Sequence, residues 1–163
     1  LLAALTLVGS LDLVEIGRAR AGGRWLVWSS PFSFIAFLIY YIASLAETNR
    51  TPFDLPEAES ELVAGYFTEY TSIRFSMFFL AEYANMFAVS VLAAVVFLGA
   101  WHGPVLPGPV WVVLKALALV FLTMLVRWTF PRFRVDQLMA FCWKFLIPLG
   151  FVCLLGNAVW ALL

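Results

Sequence analysis

Six carboxylates crowd one stretch of the chain. Glu47, Asp54, Glu57, Glu59, Glu61 and Glu69 all fall within ETNRTPFDLPEAESELVAGYFTEY, residues 47–70, and they are six of the ten acidic residues among 163 positions. Inside that stretch only Arg50 offsets them. Carboxylates take up and release protons and pair with cations, and beside apolar spans they are costly enough that they tend to serve a function. Glu47 sits at the C-terminal end of an apolar run, against the negative end of a helix dipole, and Arg50 three residues later is close enough to pair with it. A further carboxylate, Glu82, falls about 13 Å into a helix that would begin near Ile73. An intramembrane glutamate must be protonated, hydrated or bonded to a neighbouring helix. Asn85, almost one turn on, extends the polar stripe.

The plainer readings of the same residues are structural. Thr51-Pro52 and Leu55-Pro56 force extended or turn geometry before each proline, so residues 48–55 are expected to be irregular. A short helix should follow from Asp54. Asp54 and Glu57 have the capping-box spacing, Pro56 fits a first turn, and Glu57 and Glu59 suit the positive helix end. Glu57 and Glu61 would then share a face while Glu59 points away. On this view the acidic residues are caps on a wet loop, Glu47 and Arg50 form a local pair, and Glu82 is a packing bond.

Other chemistry is poorly represented. Cys142 and Cys153 would lie on one helix about 16 Å apart, too far for a disulfide. With a single histidine, His102, at a membrane edge, no zinc or iron–sulfur ligand set is visible. There is no phosphate-cradling glycine loop, dinucleotide fingerprint or nucleophile–base arrangement.

The elements that must position these groups are membrane helices. Hydrophobic residues make up 64% of the chain and charged ones 12%, with a mean hydropathy of +0.96. Soluble domains have about 45–50% and 25%. A formal net charge of zero leaves no footprint for nucleic acid. The pattern predicts one all-α polytopic transmembrane bundle over 1–163, with spans near 1–14, 25–46, 73–101, 110–130 and 138–160 and a partly helical acidic loop at 47–72. The run at 1–14 is expected to be the tail of a cut helix, followed by a basic connector with Arg18, Arg20 and Arg24. Trp25 and Trp28 at one end of the second span, and Tyr40 and Tyr41 towards the other, resemble aromatic belts. Lys115 and Arg127 can snorkel to the two ends of the fourth span. Pro148 should kink the last one unless a neighbour re-satisfies the freed carbonyl. Alternating spans put the acidic loop and PRFRVDQ (131–137) on one side. That side has more basic residues at its edges, which turns it to the cytoplasm or matrix.

The strings AETNRTPFDLPEAESELVAGYFTEY, FSMFFLAEYANM, FPRFRVDQLM and WKFLIPL closely resemble the H subunits of proton-translocating NADH:quinone oxidoreductases, respiratory complex I, whose mitochondrial counterpart is subunit 1. The likeness runs over nearly the whole chain, and the family's proteins are longer. It implies a subunit at the junction of the membrane and peripheral arms, with Glu47, Arg50 and Asp54 in the quinone chamber. It puts Glu57, Glu59, Glu61 and Glu69 in an acidic loop facing the peripheral-arm subunits, and Glu47 and Glu82 on a proton path towards antiporter-like subunits. Quinone, ubiquinone or menaquinone, would be substrate. NAD, flavin and iron–sulfur clusters would belong to partner subunits and no cofactor to this chain alone. The location implied is a bacterial inner membrane or the mitochondrial inner membrane.

Three other readings stay open on the residues. A homologous membrane subunit of an energy-converting hydrogenase, or of a ferredoxin- or F420-linked complex, belongs to the same superfamily, although the close run from Glu47 to Met86 favours the quinone-linked form. A stand-alone proton-coupled transporter would use the same carboxylates, although neither an internal repeat nor paired broken helices are visible. A purely structural anchor would need the carboxylates for assembly and not for turnover.

Overall fold

The computed structural model describes residues 2, 6–10, 12–19, 25–53, 73–103, 107–131 and 133–162. Among these residues the chain is helical, with no strand. Helix α1 spans Leu13–Ala19, a 3-10 turn Leu26–Trp28, α2 Pro31–Glu47, α3 Ile73–Val96, α4 Gly108–Thr129 and α5 Val135–Leu162. Three of them, α3, α4 and α5, are long and apolar enough to cross a membrane. Asp54, Glu57, Glu59, Glu61 and Glu69, and the helix expected from Asp54 onward, lie outside the described residues.

Several element boundaries differ from the sequence expectation, each for a local reason. Residues 13–19, read as the end of a span and a connector, form α1, because Asp12 accepts from the Val14 N–H at 2.9 Å and caps it after the positive φ of Gly9. The run from Trp25 to Ala46 is not one helix. Ser30 takes an extended conformation, its hydroxyl accepts from Ser33 N–H, and Pro31 opens α2 at the position where a missing N–H costs nothing. The 17 residues that remain cover about 25 Å. Helix α3 stops at Val96 and not at Trp101, since Gly99 and Ala100 both adopt positive φ, 74° and 46°. Ahead of Pro148 the fifth helix widens into a π segment, Cys142–Leu146, with Ile147 N–H bonded to Cys142 O. This is how the chain accommodates a ring that would press on the carbonyl four residues back.

Helices α3 and α4 form an antiparallel pair. The face of α3 with Met86, Ser90, Ala93 and Ala94 is buried, as is the face of α4 with Ala116, Leu119 and Thr123, each at helical spacing. Between membrane helices there is little hydrophobic drive to associate, so small side chains that let backbones approach supply the packing. A central cluster of Leu26, Val27, Ala36, Val96, Phe97 and Cys153 joins the 3-10 turn, α2, α3 and α5. Phe97 is its hub, meeting the Phe37 ring edge-on at 5.4 Å and Tyr40 at 5.6 Å. A polar knot ties α2 to α5: Ser30 and Ser33 donate to the Oδ1 of the fully buried Asn157 at 2.7 and 3.3 Å.

Candidate functional site

The site starts at the C-terminus of α2. Asn49 lies in the left-handed region at φ 47°, its N–H bonds Ala46 O at 3.3 Å, and Arg50 N–H reaches Leu45 O at 3.1 Å. This pair of bonds is a Schellman closure, with asparagine in the place usually held by glycine. It reverses the chain so that Arg50 enters the bundle and is only 5% exposed, while Glu47 on the last turn of α2 stays exposed. Thr48 accompanies it by bonding Ser44 O at 2.9 Å.

Arg50 meets Glu82, not Glu47. Its Nη2 is 3.6 Å from Glu82 Oε2, with side-chain exposures of 6% and 19%. At that distance the contact is Coulombic and not a formed hydrogen bond. With an effective dielectric of about 20 it is worth some 4–5 kcal/mol before desolvation offsets it. The guanidinium also lies over the Tyr83 ring, 4.6 Å from its centroid. Arg50 Nε and Nη2 are buried and make no hydrogen bond among the described residues. A planar donor set therefore faces a half-buried carboxylate and an aromatic ring with donor capacity to spare.

The turn that carries Arg50 is tied to the far end of the sequence. Thr51-Pro52 is a cis peptide, and Phe133 N–H donates to Pro52 O at 3.1 Å, which fastens PRFRVDQ to the turn that holds Arg50. The rings of Phe53, Phe133, Phe141 and Phe145 follow one another at 5.9, 6.4 and 5.7 Å from this turn along α5. Deeper in the bundle, Tyr41 hydroxyl and Thr123 hydroxyl share a hydrogen bond at 3.1 Å, and Tyr40 donates to Val89 O at 3.1 Å. Both tyrosines thus turn their hydroxyls to neighbouring helices.

Of the expected site residues, the structure brings Arg50 and Glu82 together. It leaves Glu47 exposed on the last turn of α2, and Asp54 and the four acidic-loop glutamates are outside the described residues. Asn85 is exposed. No group of three or more metal-ligating side chains occurs among the described residues. An apolar groove of about 470 Å³ between α2 and α5 is lined by Ala36, Tyr40 and Cys153, and its tyrosine hydroxyl is already engaged with Val89 O. Sequence reasoning missed two buried polar centres, Lys115 and Asn157. Asn157 could have been read as the one amide in the apolar stretch Ile147–Leu162. The sequence predicts that Lys115 reaches an end of its helix, and it does so into main-chain carbonyls.

The model for the family described as NADH dehydrogenase matches residues 1–158. The chain belongs to that family. It is similar to the H subunit of the NADH-quinone oxidoreductase of Chlorobium luteolum, 48% identical over 180 residues that cover 98% of this chain and 48% of that protein. It is likewise similar to the second of the H subunits of Koribacter versatilis, 52% identical over 176 residues, 100% of this chain and 49% of the relative. The corresponding protein of Protochlamydia amoebophila is 51% identical over 162 residues, 99% and 49%. The chain spans about half the length of the curated relatives it matches. In this member of the NADH dehydrogenase family, Arg50 and Glu82 belong to strings that the sequence alone had tied to it.

Proposed function

We infer that the chain is part of a membrane subunit of an NADH-quinone oxidoreductase, in which Glu47, Arg50 and Asp54 line the quinone chamber and Glu47 and Glu82 open a path for protons. The acidic loop with Glu57, Glu59, Glu61 and Glu69 meets peripheral-arm subunits, which hold the NAD, flavin and iron–sulfur chemistry. Glu82 leads towards the antiporter-like part of the membrane arm. The setting is a bacterial inner membrane or its mitochondrial counterpart.

One observation carries the reading, the buried contact between Arg50 and Glu82. A quinone headgroup is flat and has two carbonyl acceptors and no donor, so its chamber needs spare N–H groups and aromatic or apolar walls. Arg50 supplies the first and the Tyr83 ring the second, with the Phe53–Phe133 ring pair on the turn that carries Arg50. Reduction of quinone to quinol takes up two electrons and two protons. Negative charge that develops on the headgroup oxygens during reduction competes with Glu82 for Arg50. At low dielectric that competition is strong, so the charge on the headgroup is felt at Glu82. Glu82 thereby passes the state of the headgroup into the membrane.

The test is Glu82→Gln in the assembled, membrane-bound complex, with protons translocated per electron measured alongside quinone reduction. The expected outcome is a loss of pumping by at least about tenfold per turnover. Wild-type stoichiometry in this variant would remove Glu82 from the path.

A further inference from the structure

Lys115 lies in the first half of α4 and is 6% exposed, yet no carboxylate among the described residues pairs with it. Its side chain turns back towards the start of the helix. Nζ is 2.7 Å from Leu98 O, 3.0 Å from Ala100 O and 3.1 Å from His102 O. Three acceptors at these distances need three N–H donors. A neutral amine has two, so the arrangement suits an ammonium. The indoles of Trp25 and Trp111 add their rings at 5.4 and 5.9 Å from Nζ, within the range at which a cation is attracted to an aromatic face.

The backbone is shaped for this. Alternate carbonyls of residues 98, 100 and 102 converge because the chain passes through positive φ at Gly99 and Ala100. For alanine that conformation is unfavourable, and the bonds to Nζ compensate it. The tryptophans that wall the site each lie on a glycine. A Cβ on Gly99 would come within 3.2 Å of Trp25, and one on Gly103 within 2.2 Å of Trp111. Trp101 closes the outside, where a Cβ on Gly17 or Gly108 would fall 2.7 or 2.9 Å from it. Glycines on α1, on the connector and at the start of α4 thus admit indoles that a larger residue would displace.

The geometry points to a built ammonium site at the corner between α3 and α4, filled by the tethered head of Lys115 and able to take a free small primary ammonium ion once that head is removed. Its role is to hold the end of α3, the start of α4 and the Trp25 segment ahead of α2 in one arrangement. Lys115 is a positioning residue for the helix that carries Glu82, and it takes no part in the Arg50 contact. The inference is independent of the function proposed above.

Lys115→Ala tests it in the full-length protein, extracted in detergent and followed by its half-life against heat aggregation. The variant is expected to lose at least about tenfold in half-life. Methylammonium chloride should restore most of that loss while leaving the unsubstituted protein unchanged. Tetramethylammonium chloride at equal ionic strength, lacking any N–H, should restore nothing. A loss of packing alone would not respond to methylammonium. No rescue, equal rescue by both salts, or an undiminished half-life in the variant overturns the proposal. If Lys115→Ala does not accumulate, the unsubstituted protein is treated with an amine-acylating reagent. Lys115 should then react at least about tenfold more slowly than the exposed Lys144 before denaturation and equally fast after it. Equal rates in the native protein overturn it.

Discussion

Two cations are withdrawn from solvent along α3, and they are held in opposite ways. Lys115, at the far end of that helix, spends all three of its donors on carbonyl oxygens within 3.1 Å. Arg50, near the first third of the helix, has a carboxylate at 3.6 Å and keeps Nε and Nη2 without a hydrogen bond among the described residues. A buried charge whose every donor is matched belongs to the architecture. Moving it would uncover polar groups and nothing would take their place. A buried charge paired at longer range, with donors in hand, can exchange partners at small cost, and that is what a ligand site requires. Burial alone therefore does not distinguish the two cations; the completeness of their bonding does.

The largest effect is expected at the ion pair. Arg50→Met or Glu82→Leu alone should each destabilise the protein by about 3–5 kcal/mol in heat or denaturant unfolding, because each leaves an opposite charge buried. The double variant should cost clearly less than the sum. Strict additivity would mean that the two groups do not sense one another.

Exchanging the two kinds of cation separates charge from fork geometry. Arg50→Lys keeps the charge but loses the planar fork, so quinone-linked turnover should fall by about tenfold with little change in thermal stability. Lys115→Arg should do the reverse, since a planar fork cannot aim three N–H groups at carbonyls arranged around one point. Its turnover per assembled protein should be unchanged while its heat resistance drops. The opposite pattern in either variant would overturn the distinction. The smallest effect is expected at the turn that delivers Arg50. Asn49→Ala should cost about 1 kcal/mol in thermal unfolding and Asn49→Gly next to nothing. Equal stability of the two would show that the left-handed turn does not matter to the placement of Arg50.

Much of the framework was legible in the residues. The bounds of α4 and α5 fell within a few positions of the apolar runs, and Glu82 stood out because a carboxylate interrupts a long span. The choice of partner for Arg50 was not legible. Glu47 is three residues away and Glu82 thirty-two, so sequence distance favoured the wrong carboxylate; Asn49, whose left-handed turn decides the matter, looked like any loop residue. The cage around Lys115 was hidden for a different reason. Its ligands are main-chain oxygens, which no side-chain letter announces, and only the glycines near it hinted at unusual backbone. Pro148 predicts a bend, whereas the chain answers it upstream with an extra residue in one turn.

That extra residue sets the rotational phase of the last helix. Upstream of it, Val135–Leu146 contains no buried side chain, while downstream Cys153 and Asn157 are buried against α2. Excising a single position from the widened turn would rotate everything after it by about 100°. The amide of Asn157 would swing out of its seat between the two serines, and the aromatic file leading from Phe53 would no longer be in register with the core. The wide turn works as a spacer between two gears, and the register of α5 on α2 depends on its tooth count.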